Sequence, residues 1–154
     1  MTHYHRAMLA IVSEYRLAGG PWPASSKEMA DWALRTGRWQ LPPSAASKVC
    51  AEDLSRAMRE EYMTDAKGRR VRVKHPATLR RSGEQTTLWD DIRTASRAHM
   101  EVAFAQRRNA IVGDCKQLKA DVDCYNDRNP ASPPIQLVLD FTRDVQEWER
   151  HRAA

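Results

Sequence analysis

Residues 61–74 read Glu-Tyr-Met-Thr-Asp-Ala-Lys-Gly-Arg-Arg-Val-Arg-Val-Lys, and the interpretation of the chain starts from this stretch. Asp65 and Gly68 stand at the first and last positions of a four-residue turn, where these residue types are favoured. The strict alternation after the turn places two valines on one face of a strand and three cations on the other. The valines are Val71 and Val73, and the cations are Arg70, Arg72 and Lys74. The stretch therefore predicts a β-hairpin with a cationic outer face.

Two amphipathic helices are predicted near the start of the chain. The first covers residues 5–17, where apolar residues recur at helical spacing, and the glycine pair at residues 19–20 ends it. The second begins after Ser25, which forms a capping-box pattern with Glu28, and ends near Gly37.

A third helix is predicted after the proline pair at residues 42–43, with Ser44 as its cap. Its apolar stripe consists of Ala46, Val49, Cys50, Leu54, Ala57 and Met58. The opposite side carries several cations. This order of elements is three helices followed by a basic hairpin.

That order resembles a winged helix-turn-helix domain over residues 5–76. The resemblance implies that residues 44–62 form a recognition helix and residues 65–75 form a wing. In this family the helix enters the major groove of DNA, and the wing contacts the adjacent backbone or minor groove. The candidate DNA contacts are then Lys48, Arg56 and Arg59 of the third helix and Arg69, Arg70, Arg72 and Lys74 of the wing.

Both groups of cations have a simpler interpretation. A charged strand is a common edge strand, because Arg and Lys prevent pairing with another sheet. The third helix also carries Glu52, which can pair with Arg56 at i, i+4 on an ordinary exposed face.

The overall charge agrees with a polyanionic partner. The chain has 25 Lys and Arg against 20 Asp and Glu, which gives a net charge of +5. From Lys67 to Arg81 the chain carries no acidic residue. No apolar run is long enough to span a membrane, and charges follow the N-terminus too early for a secretory signal, so we expect a cytoplasmic protein with no membrane partner. The three cysteines have unrelated spacings, and we expect reduced thiols.

The second half of the chain is expected to be helical. A linker is predicted near residues 77–86, followed by a short helix over residues 86–92 capped by Thr86 or Thr87. A long helix is predicted from about Ser96 to Tyr125. The tail over residues 133–152 is predicted as a helix, and the alternative is a short strand over residues 136–141 with Thr142 capping a last helix.

The long helix carries a narrow apolar seam in which the spacing alternates between four and three residues. It consists of Ile111, Cys115, Leu118, Val122 and Tyr125. The seam packs either against the chain's own tail, at Val138, Phe141, Val145 and Trp148, or against a second copy of the chain. We favour a homodimer, because a two-fold axis would double the DNA contacts.

The sequence thus predicts a mainly α protein with a winged-helix-like unit over residues 1–78 and a helical packing or dimerisation unit over residues 79–154. The predicted function is binding of double-stranded DNA, as in a transcription regulator or an accessory factor of a mobile element or phage. We expect no enzyme activity, metal site or cofactor. The alternatives are a protein interaction adaptor that works through the C-terminal unit and, less favoured, a metal-dependent nuclease using Asp90, Asp91 and His99.

Overall fold

The computed structural model describes residues 2–153, apart from the side chain of Arg81, and its fold is mainly α. The elements in chain order are α1 (His3–Leu17), α2 (Ser26–Arg35), α3 (Ala45–Glu60), β1 (Tyr62–Thr64), β2 (Arg70–Arg72), β3 (Lys74–Arg81), β4 (Glu84–Asp91), α4 (Arg97–Arg128) and α5 (Thr142–Ala153). The chain forms two compact units, one up to Ser55 and one from Arg56 onward. The domain boundary predicted between residues 78 and 79 falls within β3.

The predicted ends of α1 and α2 are confirmed. Both helices end in a glycine at positive φ, with the hydrogen bonds of a Schellman motif. After α1, Gly19 has a φ of +80° and donates to the Arg16 carbonyl, and Gly20 donates to the Tyr15 carbonyl. After α2, Gly37 has a φ of +68°. The capping box is also present at the start of α2, in residues 25–28.

The core of the first unit lies between α1 and α2. The Tyr15 ring meets the Trp32 ring edge to face, with centroids 5.6 Å apart, and Ala33 is buried beside them. The expectation that the apolar stripe of α3 is buried is wrong. Val49 and Leu54 are 50% and 59% exposed, because α1 and α2 bury their apolar residues against each other and α3 joins this core through its first residue, Ala45.

The second unit contains two antiparallel hairpins, β1 with β2 and β3 with β4, which are separate two-stranded sheets. They are joined at Val73, where the chain bends between β2 and β3. The Val73 N–H donates to the Glu61 carbonyl at 3.0 Å, and the Val73 carbonyl accepts from the Ile92 N–H at 2.8 Å. These two bonds tie the residue before β1 and the residue after β4 to the junction.

Alternate residues from Val73 into β3 face α4. Val73, His75 and Ala77 are buried, and Ala103 of α4 is buried as well. The His75 ring meets the Phe104 ring edge to face, with centroids 5.3 Å apart. The valine face predicted from the sequence is thus the inner face, and it continues into β3.

Side chains of α4 also bind the edge of β3 that faces away from β4. The Gln106 side chain accepts from the Thr78 N–H at 2.8 Å and donates to the Thr78 carbonyl at 2.7 Å. The alternation of ladder bonds also points the missing N–H of Pro76 to this edge, where a proline removes no bond to β4. His99 of α4 makes a further bond to β3 by donating to the His75 carbonyl at 2.8 Å. By the same alternation this carbonyl lies on the β4 side of the strand.

Two predictions for residues 77–92 are wrong. The expected linker is a hairpin of β3 and β4, whose two-residue turn has a φ of 49° at Ser82 and 84° at Gly83. Positive φ at both positions is the geometry of a type I′ turn, which matches the twist of paired strands. The helix expected at residues 86–92 is β4, because its Thr-Thr-Leu-Trp segment pairs with β3. The next helix begins after Ser96, which caps it by accepting from the His99 N–H.

The long helix is confirmed, whereas the tail differs from the prediction. Residues 133–141 form neither a helix nor the strand of the alternative, and the last helix, α5, begins at Thr142, near the start that the alternative gave it. The Asn126 side chain exchanges two hydrogen bonds of 2.9 Å with the backbone of Ile135. These bonds and the proline pair at residues 133–134 keep this segment from forming a helix.

The three cysteines are free, as expected. Among residues 2–153, each helix is too short or too polar to cross a lipid bilayer.

We predict opposite effects for two Gly→Ala substitutions. At Gly20 a Cβ would overlap the buried Tyr15 ring, so Gly20→Ala should lower the free energy of unfolding by about 1–3 kcal/mol. At Gly113, inside α4, a Cβ meets no atom within 4 Å, so Gly113→Ala should raise it by roughly 0.5–1 kcal/mol. Urea denaturation followed by circular dichroism measures both changes. Equal midpoints for Gly20→Ala and the wild type would contradict the packing of Gly20 on Tyr15.

Candidate nucleic-acid interface

The outer face of residues 70–81 carries the predicted cations. We call this surface the cationic face, and it includes the neighbouring side chains of β1 and β4 that share it. Its members on β2 and β3 are Arg70, Arg72, Lys74, Pro76, Thr78 and Arg80. Opposite them stand Thr64 and Tyr62 of β1, then Asp91, Trp89, Thr87 and Gln85 of β4. Arginines and two aromatic rings therefore share one surface, on the side of the sheet away from α4.

The last turn of α3 reaches the same face. The Arg59 guanidinium lies over the Trp89 ring, 5.6 Å from its centroid. Arg56 precedes Arg59 by three residues, a spacing that places both on one side of the helix. The cations predicted on the end of the third helix and on the wing are thus brought to one surface of the second unit.

Two cations of the wing differ in how they are held. The Arg70 guanidinium stacks on the Tyr62 ring, 3.8 Å from its centroid, which fixes the plane of the guanidinium. The Arg72 side chain is half-buried, and among the described residues it makes no ion pair. Both guanidinium groups keep their charge for an external anion, because a stacking contact does not neutralise it.

Lys74 has a different role. Its Nζ lies 3.2 Å from a Glu61 carboxylate oxygen and 3.4 Å from an Asp91 oxygen. The hydrogen bond to Glu61 is the main cause that raises the pKa of Lys74, and Asp91 adds to it. Arg93 binds Asp91 from the other side at 2.6 Å. These four side chains form a charge cluster that ties the end of α3 to β3 and β4.

Asp91 is the centre of this charge cluster. Hydrogen bonds from the Arg93 side chain and backbone, with a further one from Lys74, hold the pKa of Asp91 well below its usual range. The carboxylate is therefore charged at neutral pH, and its charge is balanced by two cations.

The turn at residues 65–69 has the predicted form. Asp65 accepts hydrogen bonds from the N–H groups of Lys67 and Arg69, and its carboxylate pairs with the Arg69 guanidinium at 2.6 Å. The hydrogen bond from Arg69 is the main cause that lowers the pKa of Asp65. The charge of Arg69 is thus compensated within the turn, whereas Lys67 extends the basic surface at its tip.

Lys48 is the one predicted contact residue that belongs to the first unit. Its Nζ lies 5.5 Å from the centroid of the Tyr4 ring. The contact residues predicted from the sequence do not include three members of the cationic face, Arg80, Tyr62 and Trp89. The period of two along a strand places Arg80 on the same face as Lys74, and this spacing is the signal for Arg80.

The side chains considered for a nuclease make structural contacts. Asp91 belongs to the charge cluster, Asp90 accepts from the Asp91 N–H at 2.7 Å, and the His99 ring binds the His75 carbonyl. Within residues 2–153, no three His, Cys, Asp or Glu side chains come together in the arrangement of a metal site.

Comparison with protein-family models, curated proteins and solved structures finds no match for this chain.

We predict that Asp91→Asn makes stability less dependent on pH. The pKa of Asp91 is depressed by folding, so its contribution is present above the unfolded value of about 3.9 and is lost as the pH falls below it. The variant should be less stable than the wild type at neutral pH, and the difference should disappear in acid. Thermal denaturation between neutral and acid pH measures it.

The control is Asp127→Asn, which makes the same charge change on the exposed end of α4. A difference between wild type and Asp91→Asn that stayed constant across this pH range would mean that the carboxylate charge does not matter.

Proposed function

We propose that this chain binds double-stranded DNA through the cationic face and the adjoining end of α3, in the manner of a winged-helix protein that regulates transcription or serves a mobile element. One observation supports this proposal most. Arg59 of α3 stacks over Trp89, so it lies on the same side of the sheet as Arg70 and Arg72. A helix end and a basic hairpin then face one ligand.

The cationic face offers a duplex more than one group of cations. Arg70 and Arg72 stand on β2 and Arg80 stands on β3, so phosphates of one duplex can meet it at separate points. In this proposal Arg70, Arg72 and Arg80 neutralise phosphates, and Arg56 or Arg59 reaches base edges.

Ion pairs within the chain divide the cations of the wing into two classes. Lys74 and Arg69 already bind carboxylates of their own chain, so a phosphate would gain less from them. The arginines at residues 70 and 72 carry uncompensated charge and supply most of the electrostatic attraction.

A second surface favours association of two copies. The seam of α4 stays about half exposed, with Ile111 at 51%, Leu118 at 46% and Tyr125 at 56%. The chain's own tail covers one flank, where Leu139 and Phe141 line a pocket of about 450 Å³ with Ile111. α5 leaves Val145 and Trp148 about half exposed. This exposed surface also favours the adaptor alternative, in which the C-terminal half binds another protein.

We propose that a second copy of the chain covers the seam, with the two α4 helices parallel. In a parallel coiled coil, a residue on one flank of the seam contacts the residue five positions later in the sequence on the other chain. Asp114 of one chain would therefore contact Lys119 of the other. An antiparallel pairing centred on Leu118 would instead place Asp114 against Asp121, two like charges. The exposed ion pair between Lys119 and Asp123 is weak enough to be exchanged.

We predict that Arg70→Ala/Arg72→Ala weakens DNA binding and its salt dependence. Each phosphate contact that is lost should reduce the slope of log K against log salt by about 1, so the double variant should lose about 2. Fluorescence anisotropy with a random-sequence duplex at several salt concentrations measures the slope.

The matched control for this variant is Arg97→Ala/Arg143→Ala. It removes the same charge from two exposed arginines that pair with Glu101 and Glu147 on helix surfaces. Lys74→Ala should change the slope less than Arg72→Ala does. Equal loss of slope in the control would show a non-local charge effect, and no salt-sensitive binding by the wild type would overturn the proposed function.

We predict that Leu118→Glu converts a dimer into a monomer, because it places a charge at the centre of the seam. Ala120→Glu adds the same charge on the opposite side of α4 and should leave the dimer intact. Size-exclusion chromatography with light scattering measures the mass. A wild-type chain that is monomeric at the highest concentration reached would contradict the dimer and leave the DNA-binding proposal to be judged on its own.

A further inference from the structure

Two aromatic side chains, Tyr62 and Trp89, stand on the cationic face and not in the core. α4 packs against the other face of the sheet, where the residues that alternate with the cations are buried. Tyr62 is 38% exposed and Trp89 is half-buried under Arg59. Large rings on the solvent side of a sheet among arginines are a recurrent arrangement for stacking nucleic-acid bases.

We infer that the cationic face binds unpaired nucleotides, with bases stacking on Tyr62 and Trp89 and phosphates on the arginines between and beside them. This inference rests on the proposed function and extends it. The preferred ligand is then a duplex with an adjoining single-stranded segment.

The spacing of the rings supports this ligand. Tyr62 pairs with Arg72 and Trp89 pairs with Pro76, so the two rings stand beside positions that are four residues apart in the chain. A strand of nucleic acid that follows β2 and β3 would therefore pass both rings in sequence.

Each ring already has a guanidinium stacked on it, Arg70 on Tyr62 and Arg59 on Trp89. A guanidinium plane is itself a surface on which bases stack, so a base can extend the stack or take the place of the guanidinium, which then turns to the phosphate. The same pairs explain how rings of this size remain on a solvent-facing surface without a ligand.

The carboxylate on this face does not oppose the ligand. Asp91 stands beside the pair formed by Trp89 and Pro76, and a free carboxylate there would repel a phosphate. Lys74 and Arg93 both bind it and balance its charge. The charge cluster, with two cations and two carboxylates, is neutral as a whole, so the charge of the arginines beside it is not opposed by a free carboxylate.

Unpaired bases are required because a duplex hides its base faces. In B-DNA the bases are stacked on one another, and a protein side chain reaches their edges in the grooves. A ring that stacks on a base therefore gains from single strands, overhangs or extruded bases and gains nothing from the interior of a blunt duplex.

The test compares three labelled ligands by anisotropy: a single strand, a blunt duplex of the same sequence, and that duplex with a single-stranded overhang. The wild type should bind the overhang duplex more tightly than the blunt one. Tyr62→Leu and Trp89→Leu should each weaken binding to the overhang duplex by about tenfold and leave the blunt duplex within about twofold, since stacking is lost and charge is retained.

Two controls isolate stacking from folding. Trp22→Leu removes another exposed tryptophan with an arginine over its ring, Arg16 at 4.4 Å, and should bind all three ligands as the wild type does. Tyr62→Phe and Trp89→Phe keep a ring and should bind nearly as well as the wild type. A loss in the Phe variants equal to that in the Leu variants would overturn the stacking role.

The outcomes separate the inference from the proposed function. Equal binding of blunt and overhang duplexes, unchanged by Tyr62→Leu or Trp89→Leu, would refute the inference while the salt-dependent duplex binding stands. Tight binding of the single strand with none of the blunt duplex would support the inference and refute the duplex proposal. No binding of any ligand would refute both.

Discussion

The two hydrogen bonds of Val73 hold the second unit together. The N–H of this residue binds Glu61, just after α3, and its carbonyl binds Ile92, just after β4. Without this junction the chain would contain two separate two-stranded hairpins, each marginally stable by itself. With it, the two hairpins are joined at the bend of Val73. Val73, His75 and Ala77 then form one buried row, and Lys74 and Arg80 stand at the alternate positions of β3.

α4 decides which face of this run remains open. Ala103 and Phe104 cover the inner face at Ala77 and His75, and the Gln106 side chain satisfies the free edge at Thr78. An edge strand with unpaired N–H and C=O groups invites pairing with another sheet, and the Gln106 amide occupies these groups as a strand would. The outer face of β3 is left for other side chains, Lys74 and Arg80 among them.

The sequence predicts well where structure is local. The glycine stops of α1 and α2, the capping box at Ser25 and the turn at Asp65 each depend on neighbouring residues, and all are confirmed. Prediction fails where the local structure depends on contacts between residues that are far apart in the sequence. Residues 77–92 form strands because β3 and β4 pair with each other and β3 packs on α4. The stripe of α3 is exposed because the core of the first unit forms between α1 and α2. The alternation of residue types along the strand predicts which face of the wing carries the cations. The contact between Arg59 and Trp89 depends on the tertiary structure, so the sequence does not predict it.

Ion pairs divide the cations of the wing into two groups. Arg69 and Lys74 have carboxylate partners that fix the turn and the charge cluster, and those contacts are sufficient to explain them. Arg70 has a ring for a partner, which orients its guanidinium and leaves its charge in place. Arginines also lie over tryptophan rings elsewhere in the chain, as Arg16 does over Trp22, so the stacking contact alone does not distinguish this surface. What distinguishes it under the proposed function is the neighbourhood of Arg70 and Arg72, whose charge would meet phosphates while the rings beside them meet bases.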